Sequence, residues 1–187
     1  VHSVMNMRDM FSGASAFDQD LGWCVGDAVN LDCAFYHTVC ESKYCGVMWE
    51  TNTGDCDVSR TGNVMVNWKI RWAVTAWLAD ATAAEATYGH ISTWETGGVT
   101  DMSELFCAEA SFWNSCNTAA ASFNEDIGAW DTSGVTMMAR MFYQASSFNQ
   151  PLSGWQVDKV TNMNQMFGGA SAFDQDLGWC VGDDVLQ

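Results

Sequence analysis

FNEDIGAWDTSGVTMMARMFYQASS, residues 123–147, runs directly into FNQPLSGWQVDKVTNMNQMFGGASA, residues 148–172. The two stretches keep register throughout. Phe123 falls on Phe148 and then on Phe173, Trp130 on Trp155, Val135 on Val160, Met138 on Met163, Met141 on Met166, Phe142 on Phe167, and Ala145 on Ala170. A 25-residue period that holds for apolar, polar and small positions alike marks a repeat architecture. One such unit cannot bury its own apolar face, so it must stack on a neighbour. Upstream, HISTWETGGVTDMSELF (90–106) is another copy: Trp94 and Phe106 precede Trp130 and Phe142 by 36 each, which is 25 plus an insertion of 11. That insertion holds Cys107 and Cys116, so a bulge at 107–117 is expected, clipped at its base by a disulfide between them.

A longer period is superimposed. GASAFDQDLGWCVGD occurs at Gly13–Asp27 and again, unchanged, at Gly169–Asp183, a shift of 156. In this variant Leu177 and Trp179 are two apart, whereas Leu152 and Trp155 are three apart. It reads as the final coil of an array, present once near each end. Cys24 and Cys180 are equivalent under the same shift. The expected partner of Cys24 is one of Cys33, Cys40, Cys45 and Cys56, with Cys40 the first choice, and the partner of Cys180 is expected near position 196 of a longer chain. The chain starts at Val1 rather than Met and reads as a mature product or fragment, a window on tandem 156-residue units.

Within a unit, Val160, Met163, Met166 and Phe167 recur at i, i+3, i+6 and i+7, one face of a helical turn, and WQV at 155–157 alternates as a strand does, like WDT at 130–132. The expected fold class is therefore an α/β repeat solenoid of short parallel strands stacked with helical turns, with Trp94, Trp130, Trp155, Val135, Met138, Met141, Phe142, Val160, Met163, Met166 and Phe167 as repeat core. Ile70, Ala73, Val74, Trp77 and Leu78 follow the i, i+3, i+4, i+7, i+8 spacing of an amphipathic helix. Thr82 and Glu85 form a capping box for a second helix that Gly89 ends. The expected organisation is: 1–25, last coils of a preceding array; 26–62, a Cys-rich C-terminal cover and linker; 63–89, a helical N-terminal cap; 90–187, a second array.

Composition narrows the function classes. Seven Lys and Arg stand against 23 Asp and Glu, a formal charge of −16, which repels phosphate backbones and anionic membranes. No run of 18 apolar residues exists, so no membrane insertion is expected. Eight cysteines without a CxxC pair favour disulfides in an oxidising compartment, hence a secreted or cell-surface protein. GxSxG, HExxH, P-loop and dinucleotide fingerprints are absent, and His2, His37 and His90 are scattered, so no nucleophile–base pair suggests itself and no enzyme is expected.

The motif F-N-x-x-I/L-x-x-W-D-T-S-x-V-T-x-M-x-x-M-F-x-x-A-S-S, over residues 1–25 and about 90–182, resembles the BspA-like surface-protein repeat, a leucine-rich-repeat-like family of mycoplasma lipoproteins and microalgal proteins. The stretch IRWAVTAWLADATAAEATYGHISTW resembles the helical segment that precedes such arrays. The resemblance implies surface exposure and a role in adhesion or interaction.

Three constellations carry alternatives. Asp18 and Asp20, Asn124 and Asp126, and Asp174 and Asp176 recur at equivalent points, as a Ca²⁺ ladder would, but turn-capping is the favoured use, and no cofactor is expected. The methionines suit core packing better than copper. The one Trp per coil offers either a glycan platform or an interior stack, and the strand face shared by Trp155 and Val157 favours the interior. The expected function is a non-catalytic extracellular structural repeat protein whose partners are copies of itself in a fibre, sheath or surface layer. The alternative is an adhesion module that binds a glycan or a basic surface protein.

Overall fold

The computed structural model describes residues 4–19, 21–26, 28–50, 58–109 and 116–179. The chain divides into two compact units, Val1–Val58 and Ser59–Gln187, each with its own apolar core.

The expected α/β solenoid is not what the chain adopts. Regular structure among the described residues consists of two two-stranded parallel sheets and two α-helices, joined by 3₁₀ segments. In the first unit β1 (Cys24–Gly26) pairs with β2 (Met48–Glu50). In the second, β3 (Val64–Val66) pairs with β4 (Glu95–Gly98), and α1 (Asn67–Ala79) and α2 (Ala81–Tyr88) lie between them in sequence. No strand forms at 130–132 or 155–157, and no helix at 160–167. HISTW does not form the expected strand either: Ile91–Thr93 is a 3₁₀ segment and the strand begins at Glu95.

The physical reason is a left-handed residue every fourth position. Arg140 has φ +55° and Gln144 φ +61°, and Gln165 (+52°) and Gly169 (+74°) occupy the same places one repeat later. No α-helix survives such residues. Each is instead the third residue of a β-turn, with positive φ as in type II. Met141 N–H donates to Met138 C=O, Tyr143 to Arg140, and Ala145 to Phe142; Met166 to Met163 and Ala170 to Phe167 repeat the pattern. Consecutive turns place apolar residues at i, i+3 and i+4 much as a helix does, which is why the spacing misleads.

The remaining backbone groups pair between neighbouring repeats. Met102, Glu104, Phe106 and Ala108 donate N–H to the carbonyls of Met137, Ala139, Met141 and Tyr143. Met138, Arg140, Phe142 and Gln144 donate to Asn162, Asn164, Met166 and Gly168. With turn bonds along the chain and ladder bonds across it, the buried peptide groups are satisfied without sheet or helix, as burial requires. Isolated bridges Asp101–Met137 and Met137–Asn162 are all that registers as strand pairing there.

Side chains stack in the same register. Trp94, Trp130, Trp155 and Trp179 lie with ring centroids 5.9, 6.5 and 6.4 Å apart. Each indole N–H reaches a backbone carbonyl upstream: Trp94 that of Gly89, Trp130 that of Ile91, Trp155 that of Ile127, Trp179 that of Leu152. Phe123, Phe148 and Phe173 form a second column, and Phe106, Phe142 and Phe167 a third. Val135, Met138, Met141 and Val160 fill the space between.

The start of this stack is covered by α1. Its Asn67 side-chain oxygen accepts from Thr100 N–H and Asp101 N–H, and the Arg71 guanidinium donates to the carbonyls of Ser103 and Asp101. These carbonyls correspond to those of Met137 and Ala139, which the preceding repeat occupies. Two side chains thus take the place of a missing neighbour, while Trp77 packs edge-on against Trp94. The cap of α2 is Asp80, whose side chain accepts from Ala83 N–H, rather than the expected Thr82 box.

The first unit uses the same device. Turns at 7–10 and 11–14, with Asp9 and Gly13 at positive φ, face turns at 31–34 and 35–38, with Cys33 and His37 at positive φ. The sequence reading missed this second turn pair, because VNLDCAFYH keeps neither Met nor Gly at the repeat positions.

Candidate functional site

A half-buried apolar face lies on the far side of the last described repeat of the second unit. Phe173, Leu177 and Trp179 are half-buried there, packed on the core from one side only, as are Met163 and Phe167. Met163, Met166, Phe167, Leu177 and Trp179 line a groove of about 510 Å³ there. Along the same edge run the N–H groups of Met163, Gln165, Phe167 and Gly169. Their counterparts one repeat earlier all donate across the ladder; these four donate to no described residue. The site therefore combines an apolar floor with a row of unused donors, the combination that makes a sheet edge prone to pairing.

A second groove, also about 510 Å³, follows β4 and is lined by Glu95, Thr96, Gly97 and Asp131. Hydrogen bonds from the Ser133 side chain and Ser133 N–H hold the Asp131 carboxyl below the usual carboxylate range, with Lys159 adding attraction. A carboxylate occupied by its own turn is a poor catalytic base.

The remaining candidates are distributed as follows. Trp94, Trp130 and Trp155 are at most 4% exposed, so they form an interior column and offer no glycan platform. Met138, Met141 and Met166 are buried. Of the acidic series, Asn124 accepts from Asn149 N–H, Asn149 from Asp174 N–H, Asp126 from Gly128 N–H and Asp176 from Gly178 N–H. Among the described residues no group of three or more His, Cys, Asp or Glu is placed to hold a metal ion. No helix of the described residues is long and apolar enough to cross a membrane.

Cys107 and Cys116 are bonded to each other, closing the insertion. Cys40 is bonded to Cys45, which corrects the expected Cys24–Cys40 pair: a turn at Tyr44 and Cys45, both at positive φ, brings the close-spaced cysteines together. Cys24 is disulfide-bonded, and its partner is neither of these. Cys33 is a free, exposed thiol. Cys56 and Cys180 lie outside the described residues. The disulfides point to an oxidising, extracellular environment.

The profile of a family described as "Mycoplasma protein of unknown function, DUF285" matches residues 1–53 and 78–185. The chain belongs to this family. The DUF285 match takes in both copies of the 15-residue identity and the turn pair at 31–38 that the repeat spacing conceals. No curated protein and no solved structure matches the chain.

Proposed function

We propose that this DUF285 protein is a non-catalytic, extracellular structural repeat protein, built to assemble with copies of itself into a fibre, sheath or surface layer. The observation that carries the reading is the Met163–Trp179 edge: four donors in a row that pair with no described residue, over a half-buried aromatic floor. The likeness of its repeat to BspA-like surface repeats supports a place at the cell surface, as do the disulfides. The net charge of −16 supports protein or cation partners over nucleic acid. Sedimentation velocity of the intact, oxidised chain over a range of concentrations, with negative-stain imaging, tests it. Concentration-dependent linear species are expected; a monomer at every concentration that binds a glycan or basic protein instead would replace assembly by adhesion.

A further inference from the structure

The first unit contains the same edge with its cover in place. Residues 13–26 are identical to 169–182, and Met7, Met10 and Phe11 correspond to Met163, Met166 and Phe167. There, the N–H groups of Met7, Asp9, Phe11 and Gly13 donate to the carbonyls of Asn30, Asp32, Ala34 and Tyr36. Val39 N–H reaches Phe17 C=O, Leu21 N–H reaches Cys45 C=O, and Met48 N–H reaches Trp23 C=O. Phe35 stacks on Phe11 at 5.7 Å, and Val47 and Trp49 pack in the same cluster as Leu21 and Trp23. Residues 28–50 are thus a cover shaped for this edge, held in form by the Cys40–Cys45 bond.

In the second unit every element that the cover grips is repeated. The N–H groups of Met163, Gln165, Phe167, Gly169 and Leu177 donate to no described residue. Phe167, Phe173, Leu177 and Trp179 form the floor. The first of these equivalent edges is covered by residues 28–50; the second has no cover among the described residues. From this we infer that the Met163–Trp179 edge is a binding site for a segment with the sequence of residues 28–50. The inference rests on the self-assembly reading for its setting, and as a binding site it rests on the pairing in the first unit. Recognition is by carbonyls spaced two residues apart (Asn30, Asp32, Ala34, Tyr36) set against donors spaced two residues apart, with Phe35 entering the phenylalanine column.

The test uses a synthetic, dye-labelled peptide of residues 28–50, oxidised at Cys40 and Cys45 and carrying Cys33→Ser, titrated with the intact chain and read by anisotropy. Saturable binding at one peptide per chain is expected, with none for a scrambled peptide. Leu177→Asp and Met163→Asp, both at half-buried positions, should weaken it at least about tenfold. Circular dichroism and melting of each variant confirm that the unit still folds. Failure of the peptide to saturate, or equal binding by variants that remain folded, overturns the site. If the chain alone associates through this edge and excess peptide does not compete, the occupant is a second copy's repeat and the proposal also falls. Peptide binding by a chain that stays monomeric would sustain the site and remove the assembly reading; assembly without peptide binding would do the reverse.

Discussion

At the scale of single residues, the decisive positions are those that turn left-handed. Gly13 and Gly169 meet the requirement freely, whereas Gln144 stands at the same place with φ +61° and pays the Cβ penalty. Gln144→Gly should therefore raise stability, by about 1 kcal/mol, read from the midpoint of urea unfolding. The reverse change, Gly169→Ala, should lower it, since a Cβ there would also lie 2.6 Å from the Gln144 side chain. Lys69 is the residue the sequence concealed. It lies in α1 fully shielded from solvent, its ammonium donating to Thr61 C=O, and burial lowers its pKa. Because the unfolded chain keeps the ordinary value near 10.4, it binds the proton more tightly than the folded chain. The cost of burying the charge is then fully present at neutral pH, and stability rises as pH climbs through the folded value toward the unfolded one. Lys69→Met should flatten that rise in denaturation midpoints taken from pH 7 to 10; an unchanged slope would show that the ammonium is well solvated in the fold.

At the scale of elements, the caps and clips are separable from the repeats. Arg71 and Asn67 give α1 its grip on the first repeat by standing in for ladder partners. Arg71→Met keeps the aliphatic stem but leaves two carbonyls to water or to nothing, and should cost about 1–3 kcal/mol, while helix content by circular dichroism stays constant. A loss of helix signal would mean that α1 depends on Arg71 to form at all. The Cys107–Cys116 bond closes a loop of sequence separation 9. Chain-entropy arguments place its contribution at roughly 2.5–3 kcal/mol, so the Cys107→Ser, Cys116→Ser double variant should lose about that much. Helices were legible from the sequence because Ile70, Ala73, Val74 and Trp77 obey one period and nothing within them demands positive φ. Repeat turns were not, since type II turns in series imitate a helical spacing, and only the φ of residues such as Arg140 and Gln165 separates the two. Register, by contrast, was legible from the 25-residue spacing alone: rings that repeat in sequence stack in space.

For the whole molecule, two cores matter more than one chain. Met7, Val25, Phe35 and Val47 belong to the first core, and Trp94, Phe142 and Trp155 to the second. The sequence placed a Cys-rich cover at 26–62 but showed neither an open edge nor how a cover would pair with it, because both depend on which backbone groups remain after the turns are made. The identity of 13–27 with 169–183 showed that two equivalent coils exist, yet the segment covering one of them shares little sequence with the repeats. Separate cores imply separate cooperative units, each with its own transition. The first sets the Cys40–Cys45 bond and the bonded Cys24 on a small core, and the second carries Cys107–Cys116 beside a larger one, so reductant should lower both transitions and the first more. Calorimetry of the oxidised chain should resolve two peaks. Phe142→Ala, at a site with no solvent exposure, should shift only one of them, by the about 3–5 kcal/mol that truncating a buried phenylalanine costs. Val25→Ala should shift only the other, since Val25 is buried in the first core alone. A single peak moved by both substitutions would mean that the units unfold as one body.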